Sequence, residues 1–186
     1  MCYTTLGMEL IRFTATAFPS GEVVIDALVQ PRGEILDLNT RFSGVSSSEI
    51  IAARPHIRTP YPPLPTSSSS FINPCTETAT PGSPLPILPS PQAARDLLLS
   101  YIDSSTPLIG HALENDLHAL HLCHDTVIDT AIVFPHSRGI PARNKLKWLV
   151  ETYLKRRIQV EGEGGHDSAV DARCAGEMVR FKIKGR

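Results

Sequence analysis

The sequence lacks closely spaced cysteines, a leader segment and any long apolar run. Its four cysteines are Cys2, Cys75, Cys123 and Cys174, and they include no C-x-x-C pair. This spacing favours reduced thiols of an intracellular protein over a disulfide framework. The first residues have neither the basic start nor the apolar run of a signal peptide. No apolar stretch approaches the ~20 residues that cross a bilayer. We therefore expect a soluble intracellular chain.

Net charge is also nearly absent, at −1, but this balance hides an asymmetry. Residues 138–186 carry 12 Lys and Arg against 6 Asp and Glu, so the preceding part of the chain is acidic. A basic C-terminal third fits a polyanionic partner such as nucleic acid, although solvated helix faces explain the charge equally well. With 186 residues, the chain has the size of one domain rather than two.

Residues 55–91 differ sharply in composition from the rest of the chain. They contain 11 of the 16 prolines together with 11 Ser and Thr, including the run Ser67–Ser70. Proline removes backbone donors, and the segment has few large apolar residues, so we expect neither helix nor sheet ladder there. The prediction is a disordered Pro/Ser/Thr-rich insertion within one domain. A tolerated loop expansion explains it better than a site for a proline-recognising partner, which stays an alternative.

The remaining sequence predicts an α/β domain with a mixed sheet. Two β-rich runs, 8–18 and 22–30, flank the turn "PSG" and indicate a hairpin. Short strands are then expected at 106–111 and 126–129, and helices near 49–53 and at 91–103, 112–122, 144–154 and from about 167 onwards. Asp129 is expected to cap a short helix, and Trp148 is assigned to the core. Alternation of strands and helices after a hairpin favours this class.

Three stretches carry the residues of a candidate site: "LIGHALENDL", "VIDTAIVFPH" and "GGHDSAVDAR". Asp116 lies one turn into a helix that follows a strand, so it can point towards the strand's carboxyl end, where ligands bind in open α/β sheets. Asp171 follows about one helical turn after the glycine-flanked His166. Two aspartates and a loop histidine suit a hard-cation site with a mobile base. They indicate metal-assisted phosphodiester hydrolysis, in which Mg²⁺ or Mn²⁺ activates water and histidine accepts a proton.

In combination, these stretches resemble the DEDDh 3′–5′ exonucleases, especially the eukaryotic RNA exonuclease (Rex-type) branch. "GHALENDLHAL" is similar to the second motif of that family and "GHDSAVDAR" to the third, while "TRFSGV" and "VIDTAIVFPH" also match the Rex-type branch. The resemblance implies an RNase H-like mixed sheet flanked by helices. It also implies two Mg²⁺ or Mn²⁺ ions, with Asp116 and Asp171 as metal ligands and His166 as general base.

The first motif of the family, a strand carrying D-x-E, is absent from the sequence given. By resemblance that strand is the central one and directly precedes "MCYTTLG", so Met1 aligns just after its glutamate. Glu9 is interpreted as an ordinary strand residue and not as a replacement. We expect an N-terminally shortened exonuclease domain over 1–186, inactive as written, in which two flanking strands lack a ladder partner. A genuine pseudoenzyme is the alternative.

The resemblance also implies a substrate site and a cellular location. Arg41 and His111 would approach the sugar or phosphate of the nucleotide at the RNA 3′ end, with Met1 against its base or ribose. Processing of RNA ends in the nucleus is expected. Two other functions stay open: a catalytically dead RNA-binding or protein-interaction module of the same fold, and a helical HD-type phosphohydrolase built from the stretch "HLCHDTVID".

Overall fold

The computed structural model describes residues 1–55, 84–159 and 166–185. Its strands are β1 (Cys2–Thr4), β2 (Gly7–Glu9), β3 (Arg12–Thr16), β4 (Val23–Val29), β5 (Ile35–Asp37), β6 (Arg54–Pro55), β7 (Pro86–Leu88), β8 (Leu108–Gly110) and β9 (Val127–Asp129). Its helices are α1 (Thr40–Ser43), α2 (Ser47–Ala52), α3 (Pro91–Leu99), α4 (Glu114–Ala119), α5 (Thr130–Val133), α6 (Leu146–Leu149) and α7 (Ser168–Lys184), and α6 continues into a π-helical turn at Val150–Leu154.

Local sequence signals explain several of these boundaries. Ser46 and Glu49 form a capping box at the start of α2. Ser90 accepts a hydrogen bond from the Ala93 N–H, and Pro91 occupies the first turn of α3. Asp167 accepts from the backbone N–H groups of Ala169 and Val170, so it caps α7. The helices predicted at these three places are confirmed.

The described strands form three sheets with the orders β2–β1–β5, β3–β4–β7–β6 and β8–β9. Strands β3 and β4 are the predicted antiparallel hairpin, whereas β4–β7, β6–β7 and β8–β9 are parallel. The sheets are therefore mixed, with helices packed beside them, as the predicted RNase H-like α/β fold requires. Within the described residues, β3 pairs only with β4 and β8 only with β9.

Three apolar clusters form the core. The largest joins β4 to α3 and includes Ile25, Ala27, Val29, Leu88 and Leu97. A second packs α6 and the π-helical turn against α7, and a third lies under β1 and β4. Helix α7 contacts both β3 and β8, so it connects two sheets that do not pair with each other.

Three predictions about local structure were wrong in part. The run 8–18 is not one strand, because Gly7–Glu9 pairs with β1 and only Arg12–Thr16 pairs with β4. The segment 55–91 does join a ladder at its edges, since β6 and β7 pair in parallel, while its middle, 56–83, lies outside the described residues. Trp148 is not core: its side chain is 48% exposed, and Leu146 and Leu149 fill the interior instead.

Two further findings concern cysteines and membranes. Cys2, Cys123 and Cys174 are free thiols, as predicted, and Cys75 lies outside the described residues. None of the helices in the described parts of the chain combines the length and the apolarity that crossing a membrane requires. The strands exclude an all-helical domain, and with it the HD-type alternative.

Candidate functional site

A cleft of about 1850 Å³ lies between β3 and β8 and runs along α7. Its walls are largely apolar where Phe13, Ile109 and Val179 face it. All six residues predicted for the site line this one cleft: Met1, Arg41, His111, Asp116, His166 and Asp171. The structure thus brings together side chains that are up to 170 positions apart in the chain.

His166 and Asp171 lie side by side at the start of α7. The Nδ1 atom of His166 is 3.6 Å from Oδ2 of Asp171, and both side chains are less than one third exposed. The start of the helix is attached to β3, because Ser168 Oγ lies 2.5 Å from Thr14 Oγ1. Thr14 donates its proton to Asp26, so Ser168 is the donor to Thr14. This attachment positions the His166–Asp171 pair against the sheet.

Asp171 combines burial with polar partners. Burial raises the pKa of Asp171, and two partners partly offset the rise. The side-chain amide of Gln159 donates to Oδ1 at 2.9 Å, and the charge of His166 acts on the same carboxylate. Gln159 was missed by sequence reasoning, because a glutamine 12 residues before the aspartate gives no motif of its own.

Asp116 occupies the opposite wall of the cleft, on α4. Desolvation by the surrounding walls raises the pKa of Asp116 to about 6, with smaller contributions in the same direction from Asp129 and Glu114. The side chain still reaches the water in the cleft, so the desolvation is partial. The α-amino group of Met1 lies close enough to counteract the shift, and burial lowers the pKa of that amino group.

Asp129 fixes the loop that leads into α4. Its buried carboxylate accepts hydrogen bonds from the backbone N–H groups of Ala112, Leu113 and Ala131, at 2.8 to 3.0 Å. The bond to Ala131 caps α5, which confirms the predicted capping role. The other two bonds hold residues 112 and 113 directly before α4. Asp129 therefore positions Asp116 through the backbone.

His111 is half-buried at the carboxyl end of β8. Its Nδ1 atom is 2.9 Å from Thr130 Oγ1, and Thr130 donates its own proton to the Gly110 carbonyl. The ring nitrogen is consequently the donor to Thr130. Burial lowers the pKa of His111, which favours the neutral imidazole. The ring is thus held in place by a side chain that is itself fully buried.

Helix α1 brings Arg41 and Phe42 to the cleft beside His166. The Phe42 ring is 59% exposed and meets the His166 ring edge-on at 5.6 Å, with the Arg41 guanidinium 5.6 Å from the Phe42 centroid. Phe42 was missed as a site residue, although its place next to Arg41 in "TRFSGV" was a usable signal. Gly44 ends α1 with φ +64°, and an added Cβ there would collide with the His166 carbonyl.

The carboxylates suit a divalent cation in type but not in number. Asp116 and Asp171 offer oxygen ligands, which Mg²⁺ and Mn²⁺ prefer, and their raised pKa values indicate desolvated carboxylates that a cation would stabilise. Across residues 1–55, 84–159 and 166–185, however, no three His, Cys, Asp or Glu side chains are arranged to hold an ion. We therefore derive no reaction step through a pair of ions from these residues alone.

Asp116→Asn is expected to stabilise the protein at pH 7.5 and to leave its stability at pH 4 unchanged. The carboxyl pKa is higher in the folded state, at about 6, than its ordinary value of 3.8, so the folded state binds more protons between these pH values. Stability therefore falls as the pH rises through this window, and asparagine removes the loss. Because the side chain reaches solvent, we expect about 1 kcal/mol, or roughly 2–4 °C in Tm.

Thermal unfolding at both pH values, with and without Mg²⁺, tests this expectation. Asp125→Asn changes an exposed carboxylate outside the cleft and is the matched control. Mg²⁺ should raise the Tm of the unsubstituted chain more than that of Asp116→Asn. If Tm depended on pH in the same way for Asp116→Asn and for the unsubstituted chain, the raised pKa of Asp116 would be contradicted.

Comparison with known proteins shows relatives over nearly the whole chain. RNA exonuclease 3 of Emericella nidulans is 48% identical over 186 residues, which is 98% of this chain and 27% of the relative. RNA exonuclease 1 homolog of Homo sapiens is 34% identical over 184 residues, 99% of this chain and 12% of the relative. The chain thus spans about a quarter or less of these two relatives. No model of a known protein family matches the chain.

The fold is similar to solved nuclease domains. The Neurospora crassa Pan2 catalytic unit, which contains a protease and a nuclease domain, aligns with a TM-score of 0.71 and 21% identity over 98% of this chain and 26% of that one. A Saccharomyces cerevisiae Pan2 module solved in complex with AAGGAA RNA aligns with a TM-score of 0.64 and 20% identity, over 95% of this chain and 24% of that one. At these identities the likeness concerns the fold.

The chain thus has the RNase H-like fold of solved nuclease domains, and over nearly its whole length it is similar to relatives named as exonucleases. These relatives agree with the resemblance in sequence to the DEDD-type eukaryotic RNA exonucleases.

Proposed function

We propose that this chain is the main part of a 3′–5′ exoribonuclease site that hydrolyses phosphodiester bonds at RNA 3′ ends. The observation that carries the proposal is the common cleft of Asp116, His166 and Asp171, with the histidine 3.6 Å from one of the aspartates. Relatives named RNA exonuclease and a similar fold solved with RNA support RNA as the substrate. The expected nuclear location is part of the same proposal.

Each of these residues has a role in the proposed hydrolysis. Asp116 and Asp171 would offer oxygen ligands to a divalent cation, which would supply a Lewis acid for the attacking water and the leaving oxygen. His166 accepts the proton of the attacking water; its Nδ1 atom faces Asp171, which leaves Nε2 for that proton. The negative charge of Asp171 stabilises the imidazolium that results.

The residues around this centre position the RNA end. Arg41 neutralises phosphate charge, the exposed Phe42 ring offers a stacking surface to the terminal base, and His111 contacts the sugar or phosphate. Met1 lies in the cleft next to Asp116, where it contacts the base or ribose.

We further propose that the chain as given does not cleave RNA, because two aspartates cannot ligate two ions. A D-x-E strand joined before Met1 would supply the further carboxylates. Met1 lies in the cleft beside Asp116, and β3 and β8 each face the cleft with an edge that no described strand pairs. A strand entering there would find ladder partners on both sides.

The test compares two proteins incubated with 5′-labelled single-stranded RNA and Mg²⁺. One is this chain, and the other is this chain extended by a D-x-E strand before Met1. We expect a ladder of 3′-shortened products from the extended form only. In that form His166→Gln, Asp116→Asn and Asp171→Asn should each abolish the ladder. His118→Gln, which changes an exposed histidine outside the cleft, should preserve it.

A second candidate function is favoured by the shortage of carboxylates. An RNA-binding or protein-interaction module of the same fold needs no ions, and its affinity for RNA would not depend on Mg²⁺. If both proteins are folded and neither shortens the RNA, the binding function replaces the proposed exonuclease.

A further inference from the structure

A cluster of aromatic rings lies on the surface formed by α6, the π-helical turn and the end of α7. The Tyr153 ring is at its centre, with ring centroids 5.1 Å from Phe134, 6.4 Å from Trp148 and 5.5 Å from Phe181. Phe134 is buried, whereas Trp148, Tyr153 and Phe181 are 48%, 38% and 39% exposed. We call these three exposed rings the aromatic platform.

The core beneath does not require these rings. Leu146, Leu149 and Val150 of the same segment are buried and pack towards α7. Aromatic side chains that the interior does not use, grouped on a surface, indicate an interaction site rather than a packing need. No residue of the platform lines the cleft, so it is separate from the candidate site.

The charge around the platform is positive. Lys182 Nζ lies 5.1 Å from the centroid of Phe134, and Lys155, Arg157 and Lys184 are exposed on the same elements or directly after them. Among the described residues of α6, the π-helical turn and the last turns of α7, the acids are Glu177, which is paired with Arg156, and Glu151. Exposed aromatic rings among cations suit a ligand with flat rings and a phosphate backbone.

The platform is also connected to the cleft. Lys147, next to Trp148 in the chain, lines the cleft and donates from Nζ to the backbone carbonyl of Gln159 at 3.3 Å. Gln159 in turn donates to Asp171. A strand of RNA whose end lies at Asp171 would meet the cation of Lys147 on its way to the platform. This continuity favours RNA over a membrane as the occupant.

We propose that Trp148, Tyr153 and Phe181 form a stacking platform for single-stranded RNA, which holds the part of the RNA that lies outside the cleft. The identity of the polyanion rests on the proposed function, but the platform needs neither metal ions nor catalysis. It makes affinity depend on RNA length, because only a longer RNA reaches both the cleft and the platform.

Trp148 allows a direct test, because it is the only tryptophan in the chain. Its fluorescence is followed in EDTA as oligouridylates of 4 and 20 nucleotides are added. The longer RNA should quench Trp148 strongly, and the shorter one weakly at the same nucleotide concentration. Anisotropy of 5′-labelled 20-nucleotide RNA should show roughly ten-fold weaker binding for Trp148→Ala and near-normal binding for Trp148→Phe.

Tyr3→Ala is the matched control, since Tyr3 is 47% exposed but lies on strand β1 and not on the helical elements that carry the platform. It should bind the RNA normally. Unchanged Trp148 fluorescence, with equal RNA affinity for Trp148→Ala, would overturn the platform and leave the exonuclease proposal standing. Quenching and lost affinity without cleavage by the extended chain would establish the platform and remove the exonuclease. Quenching by phosphatidylserine vesicles and not by RNA would replace RNA with a membrane surface.

Discussion

Asp129→Ala will lower the free energy of unfolding by about 3 to 4 kcal/mol, or roughly 10 °C in Tm. The substitution leaves three backbone N–H groups without their acceptor, that of Ala131 in a buried place and those of Ala112 and Leu113 in partly buried ones. Each such group costs about 1–3 kcal/mol, part of which water entry recovers. Thermal unfolding measures the loss, and faster amide exchange at Ala112 and Leu113 locates it.

Two further variants distinguish the loss of the Asp129 hydrogen bonds from the loss of a negative charge alone. Asp129→Asn keeps one oxygen for Ala112 and Ala131 and loses the acceptor of Leu113, so it should cost about 1–2 kcal/mol. Asp125→Ala removes an exposed carboxylate just before β9 and should change stability by less than about 0.5 kcal/mol. If Asp129→Ala lowered the free energy of unfolding no more than Asp125→Ala does, the hydrogen bonds of Asp129 would not stabilise the loop before α4.

Gly44→Ala will destabilise the protein by about 3 kcal/mol, roughly 6–12 °C in Tm, and will displace His166. Gly44 has φ +64°, which an alanine adopts at a cost of about 1 kcal/mol. The added Cβ also meets the backbone carbonyl of His166, which must move away. In the form extended by a D-x-E strand, for which cleavage of RNA is proposed, the displaced histidine should lower cleavage about 100-fold or more.

Gly139→Ala measures the effect of backbone strain alone, without the collision that Gly44→Ala causes. Gly139 has φ +70°, and no atom of the described residues lies within 4 Å of an added Cβ. Its substitution should therefore cost only the conformational part, about 1 kcal/mol, and leave cleavage unchanged. Equal losses of Tm and of activity for the two glycine variants would show that contact with His166 does not matter.

The sequence predicted the parts of the site that depend on local order along the chain. His166 and Asp171 are separated by about one helical turn, so a helix starting near Asp167 necessarily places them together. Asp129 precedes a short helix, and a capping carboxylate at that position has few other uses. The placement of Asp116 in the same cleft as this pair depends on how α4 and α7 pack, which no local pattern in the sequence shows.

Predictions from the sequence were wrong where packing decides which side of a helix or strand faces the interior. Trp148 was predicted to lie in the core together with Leu146, Leu149 and Leu154. The buried positions of its segment are Leu146, Leu149 and Val150, which are spaced as one helical face. Trp148 lies two residues from Leu146 and thus on the opposite side. The prediction of one strand over 8–18 was wrong for another reason. Both Leu10 and Ile11 are buried, so the alternation of buried and exposed residues is interrupted where the chain passes from one sheet to the next.

The parallel pairing of β6 and β7 has a consequence for protein engineering. Pro55 lies opposite Ile87, so Pro55 and Pro84 are roughly 11 Å apart, given 4.8 Å between strands and 3.3 Å per residue along them. About five residues of a Gly/Ser linker would span that distance. A linker of this length between Pro55 and Pro84 is therefore long enough to keep β6 and β7 in their parallel register.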